Sequence, residues 1–177
     1  EYDPEGNVLK TWGDLKIVPT GIHTCYFDRD GNIWIGGQTD GIAQKYTRDG
    51  KLLLQIGTKM KFDSSDGTIK GEALNSSHEL LNGPNGFAED QANGDLYIAD
   101  GERNHRVVVF DRNGKYLRQF GRLATKAEAE AGAGGVFAKT VHCIALSHDG
   151  LLYICDREGK RIEVFDKQGN YKKSFYF

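Results

Sequence analysis

The feature that most constrains this chain is a glycine turn that returns at matching points of a repeated unit. Asp30-Gly31, Asp49-Gly50, Asn93-Gly94, Asn113-Gly114, Asp149-Gly150 and Gln168-Gly169 mostly stand between short runs of alternating apolar and polar residues. Alternation of period two places one face of a strand on a core. Asn-Gly or Asp-Gly between two such runs predicts a hairpin whose two central residues both take positive φ. The chain has 23 Gly against 3 Pro, which suits a succession of such hairpins. The fold class is therefore all-β and antiparallel.

Aligning the turns exposes a repeat of four strands. The first unit, 21–57, runs through Asn32-Ile33-Trp34-Ile35 and Leu52-Leu53-Leu54-Gln55-Ile56. The second, 84–121, carries Asp95-Leu96-Tyr97-Ile98, Arg106 to Phe110 and Tyr116-Leu117-Arg118-Gln119-Phe120. The third, 141–177, repeats the plan with Leu152-Tyr153-Ile154, Arg161 to Phe165 and Tyr171 to Phe175. Trp34, Tyr97 and Tyr153 fill one equivalent position. Four short strands make one propeller blade, and the insertions 58–83 and 122–140 separate the blades. Residues 1–13 match the end of a third strand and a fourth strand, which predicts the outer strand of another blade. Three blades do not close a ring of four to eight. An open arc leaves sheet faces and edges that invite pairing, so the expected partner is a second copy of the chain or further blades of a longer one.

Charge narrows the function classes. Lys and Arg number 23 against 25 Asp and Glu, a net charge of −2, so there is no broad cationic field for nucleic acid. No apolar run approaches the ~18 residues of a membrane span, and residue 1 opens no signal-peptide pattern. Cys25, Cys143 and Cys155 are odd in number and lack metal or redox spacing, which predicts buried free thiols.

The candidate chemistry lies at the inner ends of the blades. His23 and His142 each start the first strand of a unit, and the first strands of a propeller line its channel, so the two imidazoles are expected to converge. Imidazole suits Zn²⁺, and a catalytic zinc takes three protein ligands and keeps one open position. Asn85 holds the equivalent place in the middle unit, suited to orienting a water or binding a carbonyl. Polar residues that merely line the channel mouth fit the same pattern, and in a ring of two chains four histidines would meet.

The motifs Asp-Gly-Asn-Ile-Trp-Ile at 30–35, Arg-Val-Val-Val-Phe-Asp-Arg-Asn-Gly-Lys at 106–115 and Leu-Arg-Gln-Phe-Gly at 117–121 resemble NHL repeats. Within that family the chain is similar to the peptidyl-α-hydroxyglycine α-amidating lyases, which are zinc-dependent propellers. The resemblance is carried by 21–34, 99–110, 141–146 and 155–162. It implies that His23 and His142 are zinc ligands, that Arg157 is an active-site arginine, and that Glu102 stands where the lyases have a catalytic tyrosine. It also admits calcium and implies a secreted location. The activity implied is cleavage of a carbon–nitrogen bond, with zinc as Lewis acid, Glu102 as base and Arg157 neutralising a carboxylate. A third zinc histidine and a second arginine find no counterpart here. The bland alternative for Arg157 is a salt bridge to Asp156 or Glu158. The reading is an NHL-type propeller module acting by self-assembly or partner binding, with the zinc lyase as alternative.

The remaining motifs read as structure. His78, His105 and His148 fall in loops, and Asp28 to Asn32 is a hairpin turn rather than a calcium loop. Asp63 to Gly67 is an equally weak metal signal. Asn75-Ser76-Ser77 is a glycosylation acceptor if the chain is exported. Thr125-Lys126-Ala127-Glu128 is a capping box ahead of about two helical turns, with Gly132 as the stop.

Overall fold

The computed structural model describes residues 1–177 as three four-stranded antiparallel sheets, each a meander in chain order. Blade one is β1 (Ile22–Phe27), β2 (Ile33–Gly37), β3 (Ile42–Tyr46) and β4 (Leu52–Ile56). Blade two is β5 (Pro84–Glu89), β6 (Leu96–Asp100), β7 (Arg106–Phe110) and β8 (Tyr116–Phe120). Blade three is β9 (Val141–Leu146), β10 (Leu151–Asp156), β11 (Arg161–Asp166) and β12 (Tyr171–Tyr176). These sheets are the three predicted blades of a partial, unclosed propeller.

The turns are not the two-residue primed type that their dipeptides predict. The glycines do take positive φ (78° at Gly31, 81° at Gly114, 88° at Gly169), but the residues before them do not. Instead, Gly114 N–H donates to Asp111 O at 2.9 Å and Asp111 N–H donates to Lys115 O at 2.9 Å. The Asp111 carboxylate then accepts from Asn113 N–H at 2.8 Å and Lys115 N–H at 2.9 Å. This is a longer loop, closed by a left-handed glycine and braced by its first side chain. The informative signal is thus the Asp, Thr or Ser that opens each loop, three residues before the Gly in all but Asp90–Gly94, rather than the residue beside it.

The same loop forms at Asp3–Asn7, where Asn7 N–H donates to the Asp3 carboxylate at 2.7 Å. The outer strand predicted over 1–13 does not form; pairing stops at a single Tyr2–Val8 bridge. Here the segment folds onto blade one instead, with Trp12 5.1 Å from Tyr46 between ring centroids and Lys10 paired with Asp49.

Packing follows blade order. Blade two lies between the others, and every residue of β5, β6 and β7 is buried. Trp34 packs on Phe87 of the next blade, with centroids 6.1 Å apart, and Tyr97 donates from its hydroxyl to Lys167 O at 3.4 Å. Tyr153, at the equivalent place in blade three, is half-buried. Blades two and three approach so closely that a Cβ on Gly101 would sit 2.1 Å from Val141 O. The free flanks show apolar residues: Ile22 and Phe27 on β1, and Phe175 to Phe177 at the other end.

The insertion 58–83 is a packed loop that buries Phe62, Asp63, Ser64 and Leu81 against blade two. In the second insertion α1 (Lys126–Glu130) carries the expected capping box at Thr125 and Glu128, is shorter than two turns, and buries nothing. Asn75 is half-buried, and its side-chain oxygen accepts from His105 N–H at 2.8 Å. The cysteine expectation is overturned, because Cys143 and Cys155 form a disulfide and Cys25, though free, is exposed. Cys143 and Cys155 continue the register that pairs Leu146 with Leu152 and Ile144 with Ile154, so they face each other across β9 and β10 with Cα atoms 5.0 Å apart.

Candidate functional site at the channel mouth

The inner strands β1, β5 and β9 run side by side and deliver one polar side chain each to the same end of the channel. His23 and His142 meet edge to face with ring centroids 5.4 Å apart, although they lie at opposite ends of the sequence. Asn85 sits at the start of β5, 4 % exposed. Its Nδ2 donates to Val141 O and to Glu102 Oε2, both at 3.4 Å, while its buried Oδ1 has no partner. A buried amide oxygen without a partner is rare in a folded chain and marks this position as polar by more than solvent exposure.

Glu102 and Arg157 come together from the loops after β6 and β10, 3.5 Å apart. Arg157 also pairs with Glu158 at 2.9 Å and donates to Thr140 Oγ1 at 3.0 Å. Burial opposes ionisation of Glu158, yet Thr140 N–H and Arg157 hold its carboxyl below the usual range. Of the two partners weighed for Arg157, Glu158 is therefore the right one; Asp156 is taken by Arg161. The four predicted site residues divide into a histidine pair and an acid–arginine pair, linked through Asn85 and the Val141–His142 strand end.

For zinc, the donor set is two imidazoles. No group of three or more His, Cys, Asp or Glu side chains gathers in the chain, so His23 and His142 stand as a pair, one short of the three protein ligands that a catalytic zinc takes. The loops around His78, His105 and His148, and the Asp28 and Asp63 segments, form no such group either. Asp28 instead braces its turn and pairs with Lys45 at 2.5 Å. Asp63 accepts from Ser76 N–H at 2.9 Å.

The charged groups that the sequence reading missed are buried. Asp100 faces Arg106 across β6 and β7, and Asp156 faces Arg161 across β10 and β11. Blade one has Gly37 opposite Ile42 at this place. Arg106, fully buried, reaches Asp100 at 3.0 Å, Asp63 at 3.4 Å, Ser77 O at 2.8 Å and Leu80 O at 2.9 Å. Arg161 reaches Asp156 at 2.9 Å and Val136 O at 2.7 Å. Each arginine pins its insertion over the loop face, which sets the walls around the site. The repeated Asp-then-Arg spacing was the available signal.

Three sheets of four strands with these loops define the class: an arc of β-propeller blades. An NHL repeat matches residues 81–110, and a two component regulator propeller matches 17–39. Over 172 residues the chain is 28 % identical to NHL repeat-containing protein 3 of Homo sapiens, covering 94 % of this chain and 44 % of that one. It is 28 % identical over 176 residues to peptidyl-glycine alpha-amidating monooxygenase B of Xenopus laevis, covering 97 % of this chain and 18 % of that protein. The chain thus spans less than half the length of these relatives. Among solved structures, virginiamycin B lyase from Staphylococcus aureus shares the fold with a TM-score of 0.59 at 15 % identity, covering 99 % of this chain and 47 % of that one. Kuenenia stuttgartiensis hydrazine synthase does so at 0.60 and 15 %, covering 97 % and 40 %.

Proposed function

We propose that this chain acts as a ring-forming binding module, completed by a second copy or by further blades, with a channel mouth that departs from amidating-lyase chemistry. The observation that carries this reading is the Glu102–Arg157 pair at 3.5 Å. The arginine that would meet a substrate carboxylate already faces two carboxylates, Glu102 and Glu158. An acid in place of a phenol also repels an anionic substrate. Exposed Ile22 and Phe27 on one flank, and Tyr176 and Phe177 on the other, support completion by other blades. The disulfide supports an oxidising compartment. Light scattering of the purified chain tests the assembly: a particle of two or more copies is expected, and a stable monomer with no affinity for further blades refutes it.

The histidine apposition favours a second reading, a zinc-dependent lyase releasing a peptide amide and glyoxylate. Zinc held there would polarise a substrate hydroxyl as a Lewis acid. His23 and His142 would supply two ligands, and a further blade the third. Calcium is admitted by the resemblance alone. Metal analysis separates the readings: stoichiometric zinc lost in His142→Ala supports the lyase, and metal-free folded protein after zinc loading supports the binding module.

A further inference from the structure

The inner strands have a second end, and it carries a separate cavity of about 790 Å³ between β1, β5 and β9. Leu146 lies four residues beyond His142, a strand length of about 13 Å at ~3.3 Å per residue. Apolar side chains make most of the wall: Tyr26, Phe87, Ile144 and Leu146. Two acids are set into this wall: Glu89, 7 % exposed, and Asp90, which pairs with the cavity-lining Lys167; His148 lines the cavity as well.

The other charges at this end are matched. Asp28 holds Lys45 at 2.5 Å, and Asp90 holds Lys167 at 2.6 Å. Glu89 has no such cation. Its Oε2 accepts one long bond from Arg29 N–H at 3.4 Å, and its own N–H turns to the Tyr26 hydroxyl at 3.4 Å. Burial first, and the neighbouring Asp28 second, push its carboxyl above the ordinary range. A buried carboxylate with no ion pair of its own, helped only by the more distant Lys45 that Asp28 already holds, is costly unless something cationic arrives. Aromatic and aliphatic walls around it match the stem of an organic cation and stack well against an ammonium group.

We infer that the cavity between β5 and β9 binds an organic cation, a primary ammonium on an apolar stem, through Glu89. The site is distinct from the histidine mouth and independent of the function proposed there. A lysine side chain of a partner and a free alkylamine share this chemistry. Calorimetric titration of the 177-residue chain with n-butylammonium tests the site, with n-pentanol as neutral control and an Nα-acetyl-lysine amide as the peptide-like probe. Saturable binding of butylammonium, weakened about tenfold or more in Glu89→Gln and absent for pentanol, is expected. Tighter binding of the lysine amide would mark a protein partner, and tighter binding of butylammonium a free amine. Ala145→Phe, which fills the cavity while keeping the acid, should also abolish binding. Absence of saturable binding to the folded chain, equal affinity in Glu89→Gln, or unchanged affinity in Ala145→Phe would overturn the inference.

Discussion

Replacing Arg106 by Leu tests whether buried charge holds the insertion 58–83 to blade two. The guanidinium is wholly inaccessible and contacts Asp100, Asp63, Gln119 and the carbonyls of Ser77 and Leu80. Leucine matches part of its volume but leaves two carboxylates, 0 % and 3 % exposed, without their cation. Breaking a buried pair by removing one partner costs about 3–5 kcal/mol, because the remaining charge is stranded. The lost bonds to the two carbonyls lie within that range once their own desolvation is counted. Against a typical domain stability of about 5–15 kcal/mol the loss is large. Urea unfolding of wild type and Arg106→Leu should show it as a lower midpoint, and proteolysis within 58–83 should accelerate first. A loss below about 1 kcal/mol, with the insertion still protected, would refute the claim that this cluster is a structural anchor.

Glu163 makes stability depend on pH. Burial lifts its carboxyl from 4.5 to about 7, while Arg161, 2.7 Å away, opposes the rise. The folded chain therefore keeps a proton that the unfolded chain releases, so this stability is whole below pH 4.5 and lost as pH rises through about 7. Glu163→Gln should flatten the melting-temperature profile across that window, and an unchanged profile would contradict the assignment. For the disulfide, Cys143→Ser should lower stability by about 3 kcal/mol, given a sequence separation of 12 residues. Thiol titration of the native chain should find Cys25 alone reactive, and three reactive thiols without reduction would remove the bridge from the account.

Legibility in the sequence followed the range of the interaction. Strands, blades and the capping box rest on neighbours a few residues apart, so alternation, glycine and Thr125–Glu128 announce them. The approach of His23 to His142 was also readable, because a repeat converts equivalent positions into neighbours on one axis. What the repeat rule did not reach was whatever breaks or crosses it. Residues 1–13 carry the right turn, yet beyond the Tyr2–Val8 bridge they pack on blade one through Trp12 and Lys10 rather than as a strand. Cys143 and Cys155 look unrelated as a count of three thiols, and only the register of the β9–β10 hairpin sets them opposite each other.

Sequence by itself determined that this chain is a run of antiparallel hairpins grouped in fours, since side-chain period and turn chemistry are local. Only the tertiary structure decided which charges share a partner. Arg106 belongs to Asp100 and Asp63, Arg157 to Glu102 and Glu158, and Glu89 to no cation of its own. Electrostatic pairing is set by distance and burial in three dimensions, and loops that lie far apart in the chain supply both.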